Sequence, residues 1–458
     1  MTPHTLTASE VVTGIRGGRL SAAAVVEACL ARIERHDPAI RAWVHVDREG
    51  ALAAARELDG EARAGRLRGP LHGVPVGIKD IYHVAGMVTT AGASAFAHER
   101  PPQDAEAVAR LRRAGAIILG KTATTEFAYA DPTVTRNPWN LAHTPGGSSS
   151  GSAAAVAARM IPLALGSQTI GSTLRPAAYC GIVGLKPTHG RISAAGVIPL
   201  AWSLDHVGIF ARSVEDAALV LSVLAGYDPA DLYSVDAPTA DYLGGLGRLT
   251  NAPRLGVPRG WYVERASQEI VAHLDDVAAR LAGAGATVED VPLPPSAHAV
   301  HEAGQLVLRA EAAAVHETRF MQHTADYQPK IRGLVESGLG VRATEYIRAR
   351  QVCRRFRVEM TPIFDRVDAL LMPVAPTAAP RGLASTGDPT LCAPWSFAGL
   401  PAIALPSGVS PDGLPLAIQL AGGAFREEHL LCVARWCESV LGFAAAPPEP
   451  SLPDSVES

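Results

Sequence analysis

The chain has 458 residues, of which 48% are hydrophobic and 19% are charged, and its formal net charge is −4. This composition is typical of a folded globular protein and lacks the positive charge with which proteins bind nucleic acid or anionic membranes. The start of the sequence has no cationic stretch followed by an apolar segment, and no apolar run has the length of a membrane span. We therefore expect a cytoplasmic protein with no nucleic-acid or membrane partner.

Predicted elements alternate between helices and strands along the chain. Residues 21–33 form an amphipathic helix behind Ser21 as N-cap, and residues 108–119 and 277–288 each predict a helix that ends near a glycine and leads into a strand. Short apolar runs fit buried strands; they cover residues 74–78, 368–374, 402–405 and 416–420. We expect an α/β fold: a single large domain over residues 1–445, layered α/β/α, with a mixed, mostly parallel β-sheet covered by helices.

Two segments depart from this alternation of helices and strands. Residues 262–366 are richer in charge and in helical pattern, and we expect a more variable, peripheral or lid-like helical segment there. Residues 446–458 are polar and rich in proline, which predicts a mobile tail.

Lysine is rare in this chain, since only four of 41 basic residues are lysines: Lys79, Lys121, Lys186 and Lys330. A buried lysine can lose its proton, whereas an arginine stays charged. These positions are therefore candidates for functional amines, although biased codon usage explains the pattern equally well.

Neither a metal site nor a disulfide framework is indicated. The six cysteines are scattered and form no C-x-x-C pair, so they are expected to be reduced thiols. His298, His301 and Glu302 superficially suggest metal ligands, but their spacing differs from HExxH and a solvated helix face explains them better.

A glycine- and serine-rich stretch at residues 145–159 is better explained by a tight loop opening a helix than by a flexible linker. Within it, Gly147, Ser149 and Gly151 match G-x-S-x-G, which would make Ser149 a nucleophile. That motif needs a strand directly before it, and residues 137–145 are turn-like instead. A Ser-His-Asp hydrolase is the minor alternative.

Longer blocks carry a more specific pattern. They are GPLHGVPVGIKD at 69–80, the block from GGSSSGS to HGRIS at 146–193, and further stretches at 120–130, 203–218 and 397–420. Together these blocks resemble the amidase signature family over nearly the whole chain. The resemblance implies an enzyme that acts on C–N bonds through a lysine, a serine in a cis peptide and a nucleophilic serine.

Carried over by motif position, the resemblance makes Lys79 the catalytic lysine, Ser148 the cis serine and Ser172, rather than Ser167, the nucleophile. Serine needs a base to take its proton, and burial at the end of an apolar strand would lower the pKa of Lys79 enough for that role. Ser148 would relay the proton between them. The resemblance also implies an oxyanion hole from the backbone N–H groups of Thr169, Ile170, Gly171 and Ser172, and no metal or organic cofactor.

The sequence departs from the family at several positions of this block. Gln168 and Leu174 stand where many members have an Asp and an Arg, and Ile170 stands where Gly is usual, which puts the size of the substrate pocket in doubt. Arg175 matches the arginine that binds a substrate carboxylate in malonamidase-like members, but a structural role in satisfying loop carbonyls is an equal alternative. Further candidates for substrate binding are Gln168, Tyr129, Trp395 and Phe397, for the last three of which core packing is the competing explanation.

These features predict a hydrolase that cleaves the C–N bonds of small-molecule amides through an acyl-enzyme on Ser172. Carbamate (urethane) and ester hydrolysis are related possibilities, as is a malonamidase-like preference for carboxylate-bearing amides. An amidotransferase component of a tRNA-amidating complex is a rival of another class, and a homo-oligomer is compatible with either.

Overall fold

The computed structural model describes residues 2–449, and these residues contain eleven strands joined in one sheet. The strands are β1 (Trp43–Val46), β2 (Pro75–Lys79), β3 (Ile117–Thr122), β4 (Leu163–Gln168), β5 (Val183–Lys186), β6 (His206–Ala211), β7 (Arg254–Val257), β8 (Thr287–Asp290), β9 (Ala369–Pro373), β10 (Ala402–Val409) and β11 (Pro415–Ala421). Their order across the sheet is β1-β3-β2-β4-β6-β5-β10-β11-β9-β7-β8. All four short apolar runs singled out in the sequence fall in strands, as predicted.

The sheet is mixed, and this part of the fold prediction is confirmed. Four strand pairs are parallel and six are antiparallel, so the parallel share is smaller than expected. Uninterrupted apolar strands indicate burial on both faces but carry no information on strand direction. Five antiparallel pairs join β4, β6, β5, β10, β11 and β9 in the middle of the sheet, and the sixth joins β1 to β3 at one edge.

Helices cover the sheet. They are α1 (Ala8–Arg16), α2 (Ala22–Ile40), α3 (Arg48–Arg63), α4 (Glu106–Arg113), α5 (Ser150–Ala157), α6 (Leu174–Cys180), α7 (Val214–Leu224), α8 (Gln268–Gly283), α9 (Ala297–His323), α10 (Pro329–Leu339), α11 (Ala343–Arg366), α12 (Ala393–Phe397) and α13 (Glu427–Leu441). Ser21 caps α2 by accepting a hydrogen bond from the Ala24 N–H, as its sequence context predicts. The two helix-to-strand passages are also observed, and each turns at a glycine with positive φ, Gly115 and Gly285.

The charge-rich segment 262–366 forms the long helices α9, α10 and α11, preceded by α8 and β8. Helix α9 packs against α10, α11 and α12, so the helical segment lies directly against the body of the domain. Of the predicted mobile tail, residues 450–458 lie outside the described residues, whereas Glu449 pairs with Arg32 at 2.7 Å. None of the helices in the described part of the chain is both long enough and apolar enough to cross a membrane.

Candidate active site

Lys79 ends strand β2 in the sheet, and its side chain is fully buried. The Nζ atom donates hydrogen bonds to the hydroxyl oxygens of Ser148 at 2.7 Å and Ser167 at 2.8 Å. Burial lowers the pKa of Lys79 well below its ordinary value, and the charge of Asp205 opposes this shift only in part. The amine is therefore held between two hydroxyl groups, in surroundings that favour its neutral form.

Ser148 lies in the loop before α5, and its peptide bond with Gly147 is cis. Several contacts from other segments hold this loop. The Thr125 N–H donates to the Ser148 carbonyl at 3.2 Å, and the Ser150 hydroxyl donates to the Gly146 carbonyl at 2.7 Å. The loop is thus fixed on both sides of the serine that faces Lys79.

Ser172 lies in the turn that joins β4 to α6, and its side chain is 8% exposed. Within the described chain its hydroxyl makes no hydrogen bond, so it is available to a substrate. The N–H groups of residues 169–172 likewise donate to no acceptor among residues 2–449. Unpaired donors in a short turn before a helix are the arrangement that an oxyanion hole requires.

Two polar side chains, Gln168 and Ser396, hold the backbone of this turn through hydrogen bonds. Gln168 is fully buried, and its Oε1 accepts from the N–H groups of Thr173 and Leu174 at 2.8 and 2.9 Å. Its Nε2 donates to the Ser396 hydroxyl, which donates to the Ile170 carbonyl at 2.6 Å. Gln168 therefore supports the turn, and both ends of its amide group are already engaged, which argues against the substrate contact expected from the sequence.

Two residues near Lys79 were not assigned a role from the sequence. Ser167 appeared there only as the rejected nucleophile, yet it is the second hydrogen-bond partner of the lysine. Asp205 accepts from the Thr169 hydroxyl at 2.6 Å, and burial raises its pKa to about 6. Its signal in the sequence is its place in the matching stretch 203–218, but only the fold brings that stretch beside the lysine.

Comparison with known proteins agrees with this geometry. A family model described as Amidase matches residues 24–431. The chain belongs to the amidase family. A curated relative, a glutamyl-tRNA(Gln) amidotransferase subunit from Chloroflexus aggregans, is 38% identical, and the match covers 94% of this chain and 95% of the relative.

Solved structures give the same fold. Native peptide amidase from Stenotrophomonas maltophilia is 33% identical, with a TM-score of 0.85, and the match covers 97% of this amidase and 99% of that chain. A chain from a vestigial protein complex, described as revealing the evolutionary origins of an s-triazine catabolic enzyme, is 32% identical with a TM-score of 0.90; the match covers 96% of this chain and 100% of that one. Together with the family match, these similarities show that the chain is an enzyme of the amidase family that acts on C–N bonds.

Arg175 of the amidase is 4% exposed and points into the loops rather than into open space. Its guanidinium donates to the carbonyls of Gly147 at 2.6 Å and Gly387 at 2.8 Å, and to the Thr386 hydroxyl at 3.1 Å. These acceptors tie the α6 turn to the cis-serine loop. The geometry matches the structural alternative for Arg175 rather than carboxylate binding.

The three aromatic candidates differ in position. Trp395 is fully buried and donates from Nε1 to the Tyr262 hydroxyl at 2.9 Å, and Phe397 is 4% exposed and packs against Gly304. Both belong to the core, as their competing explanation has it. Tyr129 and Ile170 are only partly buried, and Tyr129 lines an open cleft.

Three of the four lysines are buried in the structure. Lys79, Lys121 and Lys186 are fully buried, and Lys121 pairs with Asp80 at 2.7 Å. Lys330, by contrast, is exposed. Within residues 2–449 no group of three or more His, Cys, Asp or Glu side chains could hold a metal ion.

Proposed function

We propose that this amidase hydrolyses the C–N bonds of small-molecule amides through an acyl-enzyme on Ser172, with Lys79 as base and Ser148 as proton relay. The observation that carries the proposal is the 2.7 Å hydrogen bond from the buried Lys79 amine to the Ser148 hydroxyl. A neutral lysine with a hydroxyl partner can accept a proton at neutral pH, which an exposed lysine cannot do.

In this mechanism the Ser172 oxygen attacks the amide carbonyl while its proton passes to Ser148, and the proton of Ser148 passes to Lys79. The negative charge on the carbonyl oxygen is stabilised by the unpaired N–H groups of residues 169–172. The C–N bond then breaks, and the proton returns through Ser148 to the leaving nitrogen. Water, deprotonated by the same relay, attacks the acyl-enzyme and releases the acid.

The test measures amine or ammonia release from carboxylate-bearing amides, neutral aryl amides and aryl carbamates, with Ser172→Ala as the blank. Mass spectrometry of the stalled enzyme should find the acyl group on the peptide that contains Ser172. Carbamate turnover would extend the proposal to a urethanase activity. Release that persists in Ser172→Ala would overturn the mechanism.

A second candidate rests on the curated relatives, which are subunits of an amidotransferase at up to 39% identity. Such a protein would release ammonia from glutamine for use by partner chains. Copurification with other subunits, and glutaminase activity that depends on them, would favour this function. Turnover of small amides by the isolated chain would favour the first.

A further inference from the structure

An open cleft of about 700 Å³ lies between the Tyr129 loop and the helices α9 and α10. Its polar lining comes from Tyr129, His301, Gln305, Arg309 and Lys330, together with the exposed Glu302. The helical segment therefore forms one complete wall of this cleft.

Arg309 is the unusual member of the lining. Its guanidinium makes no hydrogen bond or ion pair within the described chain, and its Nε atom is buried without any partner. Arg110, which is also partly buried, instead donates to Glu106 and to three backbone carbonyls. A guanidinium that has no acceptor in the described chain and lines an open cleft can donate to an anionic ligand that enters the cleft.

Tyr129 belongs to the same cleft lining, and its hydroxyl makes no hydrogen bond to residues 2–449. Tyr129 feels the charge of Arg309, which opposes the rise in its pKa caused by burial and by Asp131. A guanidinium fork and a phenol that face one space are suited to a carboxylate, which accepts from both.

Tyr129 links this cleft to the catalytic residues. Ala128 lines a small void together with Ser167 and Thr169, and the Tyr129 carbonyl accepts from the hydroxyl of Thr125, whose N–H binds Ser148. Phe127 and Ala128 both have positive φ, 46° and 59°. Non-glycine residues rarely adopt this conformation, and strain of this kind is concentrated at functional sites.

The charges around the cleft favour an anion. Arg309 and Lys330 have cationic side chains, and burial together with Arg265 lowers the pKa of His301, which favours its neutral form. Asp131 accepts from the first N–H groups of α10. Of the acidic residues only Glu302 lines the cleft itself, and it is exposed to solvent, where its charge is screened.

We propose that Arg309, with the Tyr129 hydroxyl, binds a carboxylate of the substrate, so that this enzyme prefers amides of dicarboxylic acids in which one acid group is free. The proposal rests on the proposed function for the turnover of such substrates, but carboxylate binding can be measured without it. It assigns to Arg309 the role that the sequence resemblance offered to Arg175.

The experiment compares malonamate, succinamate and glutaramate with the neutral diamides of the same chain length. In wild-type enzyme the best acid should exceed its diamide in kcat/KM. Arg309→Met should lower kcat/KM for the acid by roughly 10- to 100-fold, mainly through KM, and leave the diamide within about threefold. Arg309→Lys should be intermediate because it keeps the charge but not the fork, and Tyr129→Phe should cost less than Arg309→Met. Arg348→Met, at an exposed arginine on α11, is the matched control.

A binding measurement separates this inference from the proposed function. Calorimetric titration of the same acids into Ser172→Ala, and into Ser172→Ala with Arg309→Met, needs no turnover. If acid binding depends on Arg309 but the wild-type enzyme hydrolyses none of the amides, the inference is supported and the proposed function is overturned. If the wild-type enzyme hydrolyses diamides but acid binding does not depend on Arg309, the proposed function is supported and the inference is overturned. An equal loss on acids and diamides in a folded Arg309→Met protein makes Arg309 structural and overturns the inference.

Discussion

The candidate catalytic centre and the cleft beside it differ in how their polar groups are hydrogen-bonded. Around Lys79 the polar side chains are buried and hydrogen-bonded to one another, and the atoms left open are those that a reacting amide would use. In the cleft, Arg309 and Tyr129 keep polar atoms without partners in the described chain. The difference suggests that the centre determines the reaction, whereas the cleft determines which substrate reaches it.

Removing the nucleophile should have the largest effect on the catalytic side of this comparison. We expect Ser172→Ala to lower kcat/KM by roughly 10⁴-fold or more, because no other group can form the acyl-enzyme. Ser149→Ala is the matched control, since Ser149 binds only the backbone of Ser167. Steady-state rates on the best amide decide the matter. A larger loss in Ser149→Ala than in Ser172→Ala would instead support Ser149 as the nucleophile of a G-x-S-x-G motif.

Two buried lysines should respond differently to the same substitution. Lys79→Met should lower kcat by about 10³-fold or more without lowering stability, because it removes an amine with no carboxylate in hydrogen-bond contact. Lys121→Met leaves the buried carboxylate of Asp80 without its partner and should cost about 3–5 kcal/mol. Denaturant unfolding and rates on both variants test the contrast.

The pH dependence of stability sharpens this pair. The folded-state pKa of Lys79 lies below the unfolded value, so the unfolded chain binds more protons and stability rises with pH up to the unfolded pKa. Lys79→Met should therefore be more stable than wild type at low and neutral pH and lose this advantage as the pH approaches the unfolded pKa of about 10.4. A pH-independent difference between the two proteins would contradict the assignment of a buried neutral amine.

A smaller effect is expected from Arg175, which joins the two catalytic loops. Arg175→Met leaves the carbonyls of Gly147 and Gly387 without their donor and should cost about 1–3 kcal/mol in unfolding free energy. Because the loops loosen for every substrate, kcat/KM should fall equally for malonamate and malonamide. A loss confined to malonamate would indicate that Arg175, and not the cleft, binds the substrate carboxylate.

The smallest expected change concerns Asp205. Its negative charge raises the pKa of Lys79, so Asp205→Asn should move the acid limb of the kcat/KM profile to lower pH, by up to about one pH unit. Asparagine can keep the bond to the Thr169 hydroxyl. Thr169→Val, which removes that bond and keeps the charge, is the control, and it should leave the position of the limb unchanged.

Most of the helices and strands, the family and a candidate catalytic site could be predicted from local sequence patterns. The apolar run before Lys79 predicted a buried strand, Ser21 predicted the start of α2, and glycines predicted helix ends. These features could be predicted because they depend on residues that are neighbours in the chain. The motif blocks likewise identified Lys79, Ser148 and the Ser172 turn as the candidate centre. Strand direction was outside the reach of such patterns, and the antiparallel share of the sheet was underestimated.

Which side chains are buried and which border a cleft became clear from the fold alone. Trp395 and Gln168 belong to motif-like stretches but are fully buried, whereas Arg309 belongs to no motif and lies on the amphipathic helix α9. Asp205 is brought close to Lys79 through the pairing of β4 with β6. Whether a polar group is satisfied, and whether it borders open space, depends on atoms supplied by distant segments, and a local pattern contains no information about them.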